Sequence, residues 1–147
     1  MKRTIHILLV AAMMLTLGAC TRNHGDIGIW FGTWHVESIT AAGGSYQYIV
    51  PVDIEGDYFF QFQNKVFRVS QVTAREQAVE SYGTWEENED ANTLTVTFPD
   101  ANVYYIDMPG LEARNEFVIQ KRSHGQLELT RVMADGTTCV YALKKQP

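Results

Sequence analysis

Alternation of apolar and polar residues with a period of two dominates the sequence after Gly28. Eight segments show this pattern and are rich in β-branched and aromatic residues, as β-strands are. They are Thr33–Thr40, Tyr58–Gln63, Val66–Val72, Glu80–Glu86, Thr93–Phe98, Asn115–Lys121, Gln126–Met133 and Thr138–Lys144. Two weaker segments, Tyr46–Val50 and Val103–Asp107, are compatible with strand or loop. Only residues 73–79 are compatible with a helical turn or two.

Short polar turns separate most of these segments. Examples are Gln63-Asn64-Lys65, Asp90-Ala91-Asn92, Ser123-His124-Gly125 and Asp135-Gly136. Connections of this length require neighbouring strands to run antiparallel. A meander of about eight short strands has two exposed edges, and closing the sheet on itself removes them. We therefore predict an all-β fold, an antiparallel up-and-down β-barrel of about eight strands.

The alternation also assigns an inner face to the predicted barrel. Its inward positions are mostly large and apolar, whereas the outward positions carry threonine, glutamine, glutamate and His35. Such an interior either packs on itself or encloses a guest molecule. The predicted ligand-binding residues are Tyr58, Phe60, Phe62, Phe67, Val69, Leu94, Val96, Phe117, Ile119, Leu129 and Tyr141.

The first twenty residues resemble the export segment of a bacterial lipoprotein. Lys2 and Arg3 precede an apolar stretch that is too short to span a bilayer as a helix. The stretch ends in Leu17-Gly18-Ala19-Cys20, which resembles a lipobox, with cleavage before Cys20 and lipidation of its sulfur. The alternative is an ordinary cleaved signal peptide with an incidental cysteine. We expect a lipoprotein signal peptide over 1–19, a lipidated tether over 20–28 and a barrel domain over 29–147.

This export segment also predicts a location. Thr21 follows the cysteine, which resembles lipoproteins forwarded to the outer membrane, so we expect the protein in a bacterial cell envelope, attached by lipid at Cys20. Removal of Lys2 and Arg3 leaves 10 basic against 17 acidic residues. This acidic balance argues against nucleic acid and bare anionic lipid as partners. The acyl anchor is then the predicted contact with the membrane.

The sequence contains one further cysteine, Cys139. Lipidation of Cys20 would leave Cys139 without a partner in the same chain, so no intrachain disulfide is predicted. In the alternating segment it shares a face with Tyr141 and Leu143, which is typical of a small buried hydrophobe. A reactive thiol is the alternative.

No motif in the sequence predicts catalysis, a metal or a cofactor. The sequence lacks Gly-x-Ser-x-Gly, His-Glu-x-x-His and a glycine-rich phosphate loop. The acidic run Glu86–Asp90 could bind a hard cation, but it lacks the spacing of a calcium loop and predicts a solvated hairpin tip. The four histidines have no common spacing that would build a metal site. We predict a protein that is not an enzyme.

Gly32-Thr33-Trp34 resembles the Gly-x-Trp signature at the start of the lipocalin barrel. In lipocalins this tryptophan crosses the closed end of the barrel beneath an arginine from a late strand. Here the register that turns Leu127 and Leu129 inward also turns Arg131 inward. The resemblance implies a lipocalin-like barrel with Trp34 and Arg131 in contact at its closed end. It further implies that residues 28–31 form a short helical plug beside them.

The chain departs from the lipocalin pattern in its lack of a Thr-Asp-Tyr-like motif and of a clear helix after the last strand. It is more similar to divergent bacterial lipocalin-like domains.

A second Gly-Thr-Trp occurs at Gly83-Thr84-Trp85. Its flanking residues do not match the first, so we interpret Gly83 as relief of crowding at a bend, with a duplicated unit as the alternative.

Two functions remain open from the sequence. The first is a barrel that binds a small, mainly apolar molecule near the loops 41–57 and 99–114, with a tyrosine hydroxyl receiving its polar group. The second is an envelope interaction module whose loops or outer face contact a protein or glycan. Aromatic residues in the two unassigned segments favour the second function: Tyr46, Tyr48, Tyr104 and Tyr105. An empty apolar cavity would favour the first, and a packed interior the second.

Overall fold

The computed structural model describes residues 28–75, 77–99, 108 and 110–147. The predicted signal peptide, Cys20 and all but the last residue of the predicted tether lie outside these residues. So does the segment Val103–Asp107 with its two tyrosines.

Nine strands follow a single turn of 3-10 helix at Gly28–Trp30 among the described residues. They are β1 (Gly32–Gly43), β2 (Tyr46–Pro51), β3 (Asp57–Gln63), β4 (Val66–Val72), β5 (Ala78–Asn88), β6 (Thr93–Thr97), β7 (Arg114–Arg122), β8 (Gln126–Val132) and β9 (Thr138–Lys145). The eight predicted strands are thus confirmed, and the uncertain segment Tyr46–Val50 is a strand. Residues 73–75 and 77 form a turn, in which the Thr73 amide donates to the Gln77 carbonyl.

Eight of these strands close into an antiparallel barrel, which confirms the predicted fold class. Strands β3 to β9 pair in chain order, and β1 pairs with both β3 and β9. The first part of β1, at Gly32–His35, pairs with β3. Its last part pairs with β2 on the same edge. Strand β2 therefore pairs with β1 on the same side as β3, and it is not one of the eight strands that close the barrel.

The strand registers define two ends of the barrel. Trp34 on β1 lies opposite Lys145 on β9, and we name this end the base. Seven residues further along β1, Ala41 lies opposite Cys139, which in turn lies opposite Arg131 on β8. We name this end the mouth. At about 3.3 Å per residue, the two ends are roughly 20 Å apart along β1.

The inner face predicted from the alternation is confirmed. All eleven residues predicted to bind a ligand are buried in one hydrophobic core, together with Trp34 and Val36. Aromatic rings fill much of this interior. Ring centroids lie 5.1 Å apart for Phe60 and Phe67, and 5.5 Å apart for Phe117 and Tyr141. Edge contacts of this kind stabilise a core beyond the burial of apolar area.

The interpretation of Gly83 is also confirmed. A Cβ at this position would lie 2.2 Å from the Thr97 carbonyl oxygen on β6. Only glycine therefore allows β5 and β6 to approach each other here.

No helix within the described ranges is long and apolar enough to cross a membrane.

Candidate functional site

The base of the barrel is plugged by the 3-10 turn. Trp30 is buried, and its ring centroid lies 5.0 Å from that of Phe62 and 5.8 Å from that of Trp85. The indole nitrogen of Trp34 donates a hydrogen bond of 3.2 Å to the Trp30 carbonyl oxygen. The predicted helical plug beside Trp34 is thereby confirmed.

The predicted contact between Trp34 and Arg131 is wrong. The cation over the Trp34 ring is Lys145, whose Nζ lies 5.4 Å from the ring centroid and donates to the Ile29 carbonyl oxygen at 3.0 Å. Strands β1 and β8 are both antiparallel to β9, so they run in the same direction. A residue late in β8 therefore lies at the mouth, whereas a residue late in β9 lies at the base. Arg131 faces inward as predicted but at the opposite end.

The acidic run Glu86–Asp90 is only partly the solvated hairpin tip that the sequence predicts. Glu86 and residues 88–90 are exposed. Glu87, however, turns towards the base, where its carboxylate accepts a hydrogen bond of 2.6 Å from the Trp30 indole and pairs with Arg122. Within the described residues, no three His, Cys, Asp or Glu side chains lie close enough to hold a metal ion.

The mouth contains a buried guanidinium. Arg131 is only 6% exposed. Its Nη2 donates a hydrogen bond of 2.6 Å to the Glu112 carboxylate, whose side chain is 55% exposed. Its Nη1 is buried and has no hydrogen-bond partner among the described residues. A buried charge with an unused donor is costly, so this nitrogen marks a place where an acceptor would stabilise the protein.

Asn115 holds this ion pair in place. Its side chain is fully buried and forms two hydrogen bonds with the Glu112 backbone. The Glu112 amide donates to Asn115 Oδ1 at 2.8 Å, and Asn115 Nδ2 donates to the Glu112 carbonyl at 2.7 Å. Glu112 therefore reaches Arg131 from a fixed backbone position.

Tyr141 and Cys139 complete the inner wall at the mouth. Burial raises the pKa of the Tyr141 hydroxyl and the pKa of the Cys139 thiol above their ordinary values. Both groups are therefore neutral at physiological pH. The Cys139 sulfur lies 3.8 Å from the Met133 sulfur, and the residue belongs to the core. The prediction of a small buried hydrophobe is confirmed, and the raised pKa argues against a reactive thiol.

A tight turn covers the mouth. The Leu111 amide donates to the Met108 carbonyl at 3.2 Å, and Met108 is 4% exposed. Gly110 has a φ of +77°, and a Cβ there would lie 2.4 Å from the Tyr141 hydroxyl oxygen. Glycine thus allows the backbone to rest directly on Tyr141.

Four residues of the two ends are not predicted from the sequence: Glu112, Asn115, Lys145 and Glu87. The last three lie two positions from an inward residue on their strands, Phe117, Leu143 and Trp85 respectively, so one further step of the alternation places them inside. Polar side chains are uncommon on an apolar inner face, which makes them hard to predict there. Glu112 precedes β7 and has no strand pattern.

Depressions lined by described residues lie on the outer wall. One of about 460 Å³ is bordered by Lys65, Thr84, Thr95 and Arg114, among others. Strand β2 is exposed as well, and its Tyr48 and Ile49 side chains are 75% and 76% exposed. Both faces of this strand project into solvent, since neighbouring side chains alternate between faces.

Solved structures with a similar fold come from Bacteroides. A lipocalin-like protein from Bacteroides uniformis has a TM-score of 0.57 and 17% identity, and the match covers 81% of this chain and 100% of that one. A protein from Bacteroides eggerthii has a TM-score of 0.55 and 16% identity, with 80% and 99% covered. No protein-family model matches the sequence, and a search of curated proteins found no significant match. At these identities the likeness concerns the fold, which is lipocalin-like as predicted.

Proposed function

We propose that this lipocalin-like barrel binds a small, mainly apolar molecule at its mouth. The observation that carries the proposal is Arg131, a buried guanidinium on a mainly apolar inner wall with one nitrogen unpartnered among the described residues. Leaving a buried donor unsatisfied costs about 1–3 kcal/mol, and more for a charged group. A ligand acceptor at Nη1 would offset this cost.

The apolar part of the ligand would contact the inner wall near the mouth. Leu129 and Tyr141 lie opposite each other on β8 and β9, and Phe117 packs on the Tyr141 ring. Gly110 lies directly against the Tyr141 hydroxyl, so a ligand at the mouth would lie beside Gly110. Aromatic ring contacts fill much of the interior, which counts in favour of the interaction module described below. They are densest at the base, so a bound molecule would lie near the mouth.

A neutral fluorescent probe, N-phenyl-1-naphthylamine, tests this proposal. We expect saturable binding to the purified protein and loss of binding on Leu129→Asp, which places a charge on the inner wall near the mouth. Thr130→Asp is the matched control, because Thr130 is the adjacent residue of β8 and turns to the outer face. Circular dichroism checks that both variants remain folded.

The wild-type protein also provides a test that needs no variant. Native mass spectrometry of protein purified from its own host should detect a co-purified small molecule. Absence of both a bound molecule and probe binding would contradict the proposed function. Probe binding that survives Leu129→Asp in a folded protein would place the probe away from the mouth and contradict it as well.

The exposed strand β2 favours a second candidate, an interaction module that contacts a protein or glycan through its outer surface. Tyr48 and Ile49 are exposed on opposite faces of this strand. This candidate predicts that Tyr48→Ser with Ile49→Ser abolishes binding of an envelope partner while probe binding by the barrel is absent in all variants.

We further propose attachment to a bacterial envelope, in the outer membrane, through acyl chains on Cys20. The support is the lipobox-like sequence Leu17-Gly18-Ala19-Cys20. Cys20→Ala should abolish incorporation of an alkyne-labelled fatty acid and release the protein from membranes on fractionation. Cys139→Ser is the matched control and should keep both label and membrane attachment. A Cys20→Ala variant that remains in the membrane pellet would overturn the proposal.

A further inference from the structure

We propose that the mouth selects amphiphiles whose polar group is an anionic acceptor, a carboxylate, received by Nη1 of Arg131. This inference deepens the proposed function and rests on it. The apolar chain of such a ligand would lie against Leu129, Tyr141 and Phe117.

The polar groups at the mouth leave a charged donor unused. Arg131 Nη1 has no hydrogen-bond partner within the described structure. The side chain of Asn115 is engaged at both ends by Glu112 and carries no charge. Tyr141 and Cys139 are neutral and are hydrogen-bonded to each other. A ligand group entering here therefore meets the Arg131 donor, and an acceptor satisfies it.

The distribution of charge favours an anion over a neutral acceptor. Among the described residues, the carboxylates of Glu112 and Asp135 lie near Arg131 and Cys139. Both face solvent, which screens their charge, whereas the guanidinium is 6% exposed. A group inside the barrel therefore senses the positive charge of Arg131 more strongly than either carboxylate. A carboxylate also forms an ion pair with the guanidinium, which a neutral acceptor cannot form.

The same arrangement disfavours a cationic ligand. An ammonium group would lie beside Arg131, where no carboxylate of the described residues is buried. Glu87 turns inward at the base, and it is engaged there by Trp30 and Arg122. We therefore expect amines to bind more weakly than acids of the same chain length.

Displacement of N-phenyl-1-naphthylamine by three ligands with the same apolar chain tests the inference: dodecanoate, methyl dodecanoate and dodecylamine. For wild-type protein we expect dodecanoate to bind at least about tenfold more tightly than the ester, because only the carboxylate forms an ion pair with the buried guanidinium. Arg131→Met should lower the affinity for dodecanoate by about tenfold or more and change the affinity for the ester by less than about threefold.

Arg68→Met is the matched control. Arg68 is a guanidinium on the outer wall that pairs with Glu80, so its removal changes the net charge by the same amount. We expect no change in ligand preference. Glu112→Gln is a second variant, at the exposed side chain that pairs with Arg131. It should strengthen dodecanoate binding several-fold and leave ester binding unchanged, because it removes a negative charge beside Arg131.

Equal affinity of wild-type protein for acid and ester would overturn this inference while the proposed function stands. Unchanged acid preference in a folded Arg131→Met variant would do the same. Failure of wild-type protein to bind the probe or any of the three ligands would instead overturn the proposed function itself.

Discussion

Lys145 stabilises the base through two contacts of one side chain. Its ammonium group lies over the Trp34 ring and donates to the Ile29 carbonyl oxygen, so it joins the last strand to the plug and the first strand. We predict that Lys145→Met lowers the free energy of unfolding by about 1 kcal/mol. Urea titration measures this. Lys144→Met is the control, since Lys144 is exposed and should change stability by less than about 0.5 kcal/mol. Equal effects of both substitutions would contradict the assignment.

Asn115 contributes to stability through the backbone of Glu112. Asn115→Ala leaves the Glu112 amide and carbonyl without their partners. Removal of these two bonds should lower the free energy of unfolding by about 2 kcal/mol. Glu116→Ala, at the exposed neighbouring position, should have little effect. A loss below about 0.5 kcal/mol for Asn115→Ala would show that these hydrogen bonds do not hold the mouth.

Tyr141 makes the stability depend on alkaline pH. Burial raises its pKa, so the folded state keeps the hydroxyl proton at a pH at which the unfolded chain loses it. Stability is therefore retained below about pH 10, the ordinary tyrosine pKa, and falls as the pH rises above it. Urea midpoints at pH 8 and pH 11 should differ less for Tyr141→Phe than for wild type. Tyr48→Phe, at an exposed position, should behave like wild type.

At the residue scale, the sequence predicts whether a side chain points into or out of the barrel better than it predicts the position of the residue along the barrel axis. Alternation correctly turned Arg131 inward, but it contains no information on which end of β8 approaches Trp34. That depends on strand direction and pairing, which become evident only when β1, β8 and β9 are counted along the closed sheet. Lys145 then occupies the position over Trp34 that the lipocalin resemblance implied for an arginine.

At the scale of elements, the turns and the alternation predicted the barrel strands within a few residues at most of their ends. A β-bulge in β1 was not predictable, and it shifts the register between Val36 and Ser38. Because of this bulge Ile39 and Ala41 face inward, although strict alternation from Trp34 would turn Ser38 and Thr40 inward. Strand β2 lacks a buried face, so its sequence carries only a weak strand pattern.

The pairing of β5 with β6 depends on the absence of a side chain at Gly83. Gly83→Ala would place a Cβ 2.2 Å from the Thr97 carbonyl oxygen, which forces the two strands apart. We expect a loss of about 2 kcal/mol in the free energy of unfolding, measured by thermal or urea denaturation. Gly125→Ala is the control, since nothing lies within 4 Å of its Cβ position. A Gly83→Ala variant as stable as Gly125→Ala would contradict the close approach of β5 and β6.

At the scale of the molecule, the base is closed by Trp30 and the mouth holds the buried polar group. The chain enters the barrel at the base, where the turn Gly28–Trp30 precedes β1. Seven residues separate Cys20 from Gly28, which allows at most about 25–30 Å between the proposed acyl anchor and the base. Attachment at Cys20 would therefore keep the barrel close to the membrane. The closed barrel was predictable from strand number and turn length, whereas the polar cluster at the mouth required the pairing of distant strands.

The most direct test of ligand binding at the mouth is a chemical-shift map of the protein during titration with dodecanoate. We predict saturable chemical-shift changes at Arg131, Tyr141 and Phe117, and small chemical-shift changes at Trp30 and Trp34 in the base. Shifts confined to the outer wall or to β2, or no shifts at a concentration that saturates the probe assay, would contradict this prediction.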